Sequence, residues 1–296
     1  MQIPEQYRKS GKITKEVRTV VADYVRPGTA FSEVCDLVER EVRARGGSLA
    51  FPTGIGVNQV TAHYAPQIGD ESTVGEKDVV KVDFGVHVDG YVTDTAVTVT
   101  FNPDRELMLD AARSALDAAV EVAKRDPRTG EIGRAVHREA ARLGFKTIEN
   151  LTGHTVDRYI VHAGKSIPNL YLPGLPALKS GEVFAVEPFV TFGSAAGYVV
   201  DAPSVTIFSM VVRKKTGKPE ADRFAEQVWE ERRTLPFTPA WYAAEWGRGK
   251  LEKVLKELVS RRIVHAYPTL VEASGSPVAQ FEHTMALEDG TLVVLT

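Results

Sequence analysis

Asp83, Asp94, His154, Glu187 and Glu282 stand in short segments rich in β-branched and aromatic residues: KVDFGVHVDGYVTDTAV, LTGHT, FAVEPF and QFEHT. A carboxylate inside an apolar strand is costly unless a cation or a hydrogen bond compensates it. Four carboxylates and one imidazole form a donor set for divalent cations. Two such ions would balance the four negative charges and leave room between them for a hydroxide, the nucleophile of a metal-assisted hydrolysis. An oxygen-rich set with a single nitrogen is unlike a structural zinc site, which uses thiolates and imidazoles, and suits a catalytic pair of Co, Mn, Fe or Zn ions.

The spacing of the first two acids is informative. Asp89-Gly90 lies between two β-like runs and predicts a hairpin with a two-residue turn. If Val88 faces Tyr91 across that turn, position 85 faces position 94, and Asp83 and Asp94 lie diagonally on one face within reach of a common ion. Strand acids can also simply face water, but Val82, Phe84, Val92 and the following VTV predict a sheet covered on both sides. His154 follows Gly153 near the end of a predicted strand, where a missing side chain allows close backbone approach. Such a histidine is either a ligand or a structural hydrogen-bonding group. Glu187 shares a face with Val183 and Ala185, and Glu282 repeats its situation, each needing a partner. His283 points to the opposite face and reads as structural. His63 in VTAHYAP and His162 in YIVHAGKSIP fall in loop-like stretches; composition alone makes both solvated loop residues.

These groups need a framework to bring them together. Ile13, Val17, Val20 and Tyr24 predict one amphipathic helix, and Phe31, Val34, Val38 and Val42 a second, closed by Pro27-Gly28 and Gly46-Gly47 respectively. Asn102-Pro103 opens a third helix with Met108, Ala112, Leu116 and Val120 on one side, and a fourth follows Thr129 with Ile132, Val136, Ala140 and Leu143. KTIENL is expected to run as a strand into GHT, and QFEHTMAL with TLVVLT to close the chain as a hairpin around Asp289-Gly290. Between Val205 and Leu270 the pattern changes to two amphipathic helices, near Glu220–Arg233 and Gly249–Arg261, which reads as an insertion into an α+β domain.

Whole-chain properties narrow the function classes. With 296 residues, 43% apolar content and a net charge of −3, the chain has no global bias toward nucleic acid or membrane. Cys35, the one cysteine, permits no intrachain disulfide and reads as a buried helix residue in EVCDLVER. The polar start MQIPEQYRKSGKITKEV lacks the apolar core of a signal peptide, and no run is long enough to span a bilayer. A cytoplasmic location is expected. Residues 213–262 contain thirteen Lys/Arg against eight Asp/Glu, read either as a solvated helical face or as a weak nucleic-acid contact.

FPTGIGVNQVTAHYAP (51–66), KVDFGVHVDGYVTDTAVTV (81–99), NLTGHTVDRYIVHAGKSIPN (150–169), FAVEPF (184–189) and AQFEHT (279–284) resemble, in order, the signature stretches of type II methionine aminopeptidases of archaeal form. The resemblance implies an α+β pita-bread fold, with a dimetal catalytic domain from 1–204 and 271–296 and an inserted helical, winged-helix-like subdomain at 205–270. It implies that Asp83 binds one ion, that His154 and Glu187 bind the other, and that Asp94 and Glu282 bridge them. Glu187 would be the general base. His63 and His162 would contact substrate and assist catalysis, and Phe51 and Val161 would line a pocket for the methionine side chain. The expected substrate is the N-terminal methionine of nascent polypeptides, released by a monomeric hydrolase that contacts neither membrane nor DNA and associates weakly with ribosomes. Two other readings share the scaffold: an X-Pro peptidase, which usually carries a large additional amino-terminal domain, and a non-enzymatic binding protein, in which ligands are substituted.

Overall fold

A computed structural model describes residues 1–296. Helices α1 (Glu5–Tyr24) and α2 (Phe31–Ala44) come first, followed by strands β1 (Ser48–Leu49), β2 (Gly54–Val57), β3 (Val60–Ala62), β4 (Val79–Val88) and β5 (Tyr91–Thr100). Helices α3 (Glu106–Ala123) and α4 (Thr129–Arg142) precede β6 (Phe145–Thr147), β7 (Thr152–Val156), β8 (Ser166–Pro168), β9 (Val183–Val186), β10 (Phe189–Phe192) and β11 (Val199–Met210). The chain then forms α5 (Pro219–Arg232), α6 (Ala243–Trp246) and α7 (Arg248–Ser260), and returns through β12 (Val264–Glu272), β13 (Val278–Gln280), β14 (His283–Glu288) and β15 (Thr291–Val294). No helix is long and apolar enough to cross a membrane.

The central hairpin has the register its turn dictates. Asp89 and Gly90 both take positive φ, 52° and 87°, as a two-residue turn requires, so Val88 pairs with Tyr91 and Gly85 with Asp94. The apolar faces of α1 and α2 pack with β4 into a core of 39 buried residues that extends through α3 and α4 to β9 and β10. In α1 the buried line is Ile13, Val17 and Val21; Val20 is half-buried and Tyr24 exposed, so the stripe follows steps of four rather than the expected step of three.

Two long strand pairs then cross from one sheet to another. β9 and β14 lie side by side in the five-stranded sheet β15-β14-β9-β7-β8, while their continuations β10 and β13 belong to the three-stranded sheet β13-β10-β6. KTIENL does not continue into GHT as one strand: β6 pairs with β10 and β7 with β9, because residues 148–151 break the chain between the two sheets.

From β11 onward the chain leaves this frame along an antiparallel ribbon of β11 with β12, and β12 is tied back through β3. Beyond the ribbon, α5, α6 and α7 enclose a separate core of 15 residues in which Phe224 meets Tyr242 and Trp246 edge-on, each at 5.2 Å. The helices α5 and α7 start and end one residue earlier than the periodicity suggests.

Candidate metal centre

Where β9 passes into β10 and β14 into β13, both strands are interrupted at the same level. Val186 pairs with His283 and Phe189 with Gln280, leaving Glu187-Pro188 and Phe281-Glu282 as the unpaired step between sheets. Pro188 has no N–H to lose at such a break. The two glutamates therefore occupy matching positions in a two-stranded ribbon that is open at that point.

The amino-terminal half grips this break with side chains. Arg18 Nη1 and Thr95 Oγ1 donate to the Glu282 carbonyl at 3.3 and 3.1 Å, and the Glu282 N–H donates to Ala96 O at 3.2 Å. On the other side, Gly153 lets β7 lie close to β9: a Cβ there would fall 2.3 Å from Ala185 O. That approach seats His154 opposite Ala185.

The result is a set of buried groups converging from four segments. An oxygen of Asp94, a ring nitrogen of His154 and an oxygen of Glu282 lie within 4.8 Å of one another. His154 Nε2 is 3.4 Å from Glu187 Oε1 and 3.7 Å from Asp94 Oδ2. Gln280 Nε2 donates to Asp83 Oδ2 and Glu187 Oε2, each at 3.3 Å, which draws Asp83 into the same cluster. Asp94 Oδ1 and Glu282 Oε1 are buried without any hydrogen-bond partner. Buried carboxylate oxygens of this kind call for a cation, so the residues present fit divalent metal.

The electrostatics agree. Burial pushes the carboxyls of Asp94, Glu187 and Glu282 well above their ordinary range, and their mutual repulsion adds to it. Burial raises Asp83 to about 7, partly offset by the Gln280 hydrogen bond. The same desolvation, with neighbouring His162, holds the His154 ring down to about 3, so it stays neutral and free to ligate.

Asp83, Asp94, His154 and Glu187 line a cleft of about 240 Å³, while Glu282 is buried out of it. His63, His162, Phe51 and Val161, which the resemblance put beside the substrate, all line it. His63 is half-buried, whereas His162 stays exposed in its loop at the cleft wall. His63 takes a positive φ of 64°, and its carbonyl accepts from Thr206 Oγ1 at 3.2 Å and Thr269 Oγ1 at 3.4 Å. Its Nδ1 lies 3.3 Å from Pro268 O; a carbonyl only accepts, so Nδ1 carries the proton and Nε2 is left as acceptor. Desolvation lowers His63 to about 4 and also lowers His162, whose ring stands 4.4 Å from that of His154. The Phe51 ring lies over Gly85, where a Cβ would come within 2.3 Å of it.

Several lining residues had no local signal. Ile207 and Tyr267 reach the cleft as partners across β11 and β12, and Pro236 arrives from the chain beyond α5; only long-range register brings them there. Gln280 was findable, since it stands two residues before Glu282 in the same apolar segment and a buried amide also needs partners.

The model of metallopeptidase family M24 matches residues 5–215. A methionine aminopeptidase of Pyrococcus horikoshii is 38% identical over 289 residues, covering 97% of either chain. Among solved structures, a methionine aminopeptidase of Thermotoga maritima superposes with a TM-score of 0.71 at 22% identity, covering 100% of this chain and 98% of that one. A thermophilic Arx1 superposes with a TM-score of 0.84 at 17% identity, covering 99% and 91%. At such identities these two likenesses speak for the fold alone.

Proposed function

This chain belongs to metallopeptidase family M24, and from that premise we propose that Asp83, Asp94, His154, Glu187 and Glu282 hold two divalent cations at the base of the cleft, Glu282 reaching them from the buried side. The protein is a pita-bread, metal-dependent aminopeptidase that removes N-terminal methionine from polypeptides. In the proposed arrangement Asp83 serves one ion, His154 and Glu187 the other, and Asp94 and Glu282 both. The observation that carries it is the pair of partnerless buried oxygens, Asp94 Oδ1 and Glu282 Oε1, in the cluster with His154. Co, Mn, Fe and Zn all suit this oxygen-rich donor set. When bound, such ions supply Lewis-acid polarisation of a carbonyl and a nucleophile drawn from water at neutral pH.

The remaining steps fall to the chain's own groups. Glu187, lining the cleft 3.4 Å from His154 Nε2, would be the general base. His162, its imidazole kept neutral by desolvation, would hydrogen-bond the scissile amide, and His63 Nε2 would accept a hydrogen bond from the substrate. Phe51 and Val161 form apolar walls for the methionine side chain. A cleft of about 240 Å³ is small for a ligand pocket, which favours a chain end over an internal stretch of peptide.

The natural substrates in this reading are nascent chains in the cytoplasm, met by a monomer. A weak ribosome contact would use Lys214 and Lys215, beside Arg213, which is paired with Glu226 and Glu230. Mass spectrometry of Met-Ala-Ser and Ala-Pro peptides after metal loading tests the assignment. Release of methionine alone supports it, cleavage of Ala-Pro alone indicates an X-Pro peptidase, and inertness toward both indicates a binding protein.

A further inference from the structure

Lys81 is among the most completely enclosed side chains of the molecule, 1% exposed, and pairs with no carboxylate. Its Nζ donates to two backbone carbonyls instead, Val278 O at 2.8 Å and Asn58 O at 3.1 Å. Gly56 makes the space, since a Cβ there would lie 2.9 Å from Lys81 Cε. An ammonium taken out of water and bonded only to neutral groups is costly, and a methionine of similar length would fill the same volume without that cost.

What the ammonium supplies is a fixed separation between two strands. Val278 opens β13, in the carboxyl-terminal half, while Lys81 belongs to β4, in the amino-terminal half. Two residues further along each strand, Gln280 donates to Asp83. The contacts 81–278 and 83–280 are thus successive rungs between the same two strands, and the second rung continues to Glu187.

We infer that Lys81 is a positioning residue of the metal centre, its ammonium setting the spacing of β4 and β13 and thereby where Asp83 meets Gln280 and Glu187. This rests on the reading of Asp83, Asp94, His154, Glu187 and Glu282 as metal ligands. It concerns geometry alone, so its signature is in metal binding rather than in stability.

The test measures Co²⁺ affinity by calorimetry and the visible Co²⁺ absorption spectrum, for wild type and Lys81→Met side by side. The expected result is weaker Co²⁺ binding by about 10-fold or more, the size typical of lost outer-sphere support, with an altered spectrum. Co²⁺ affinity within twofold of wild type and an unchanged spectrum overturn the inference, whatever happens to Tm. Wild type that binds no Co²⁺ would instead overturn the reading of the site. Should the methionine variant not fold, Lys81→Ala prepared in n-propylamine carries the test: Co²⁺ affinity that rises with amine concentration supports the role, and indifference to the amine overturns it.

Discussion

Thr284 and Asp94 exchange two hydrogen bonds across the junction of the two halves: Thr284 Oγ1 donates to the Asp94 carbonyl at 2.8 Å and accepts from the Asp94 N–H at 2.7 Å. One hydroxyl thereby satisfies both main-chain groups of a buried acid. Thr284→Val keeps the shape but leaves both groups unpaired, at a cost of about 1–3 kcal/mol each. Chemical denaturation should show that loss, and kcat should fall with it, whereas Thr284→Ser should retain most of both.

Glu187→Gln preserves the volume of the side chain but removes its capacity to take a proton or to carry charge. A drop in kcat of about two decades or more is expected, in the range for loss of a general base. His154→Ala should match it through loss of a ligand nitrogen. Steady-state kinetics at saturating metal checks both, and activity within threefold of wild type would remove those roles.

The pH dependence of metal binding follows from the buried acids. Burial raises their folded-state pKa values, Asp83 to about 7 and Asp94, Glu187 and Glu282 well above the ordinary carboxylate range, so without a cation they favour the protonated form. A cation must displace those protons, so its apparent affinity falls as pH falls. His154, held down to about 3, is already neutral and does not compete in that window. From about pH 8 to about pH 6, affinity should drop by up to about tenfold per pH unit for each proton displaced. Calorimetry in buffers of different ionisation enthalpy would count the released protons, and a pH-independent affinity would contradict the site.

Substrate selectivity should respond to Phe51. Phe51→Ala removes an apolar wall, and a hydrophobic pocket contact of that kind is worth about 1–3 kcal/mol, or about 10–200-fold in kcat/KM. Gly85→Ala should act similarly from beneath, because its Cβ would overlap the ring. The effect is expected mainly in KM for methionine-initiated peptides.

The hairpin was fully legible in sequence because two adjacent turn residues fix its register, and register fixes which acids share a face. The helices were legible from their apolar spacing, with small errors in α1. What sequence could not display was the crossing of strand pairs between sheets. That crossing separates β6 from β7 and creates the break at which Glu187 and Glu282 stand, and it depends on pairings between residues about a hundred positions apart. The two loop histidines show the same limit. His63 and His162 look solvated because their neighbours are Gly, Pro and Asn, and only the fold reveals that His63 turns inward against Pro268 and that His162, still exposed, sets its ring against His154.

The most direct measurement is anomalous diffraction at the cobalt edge from crystals grown with Co²⁺. Two peaks about 3.5–4 Å apart, bounded by Asp83, Asp94, His154, Glu187 and Glu282, are predicted. Two peaks elsewhere, or none between these side chains, would contradict the assignment.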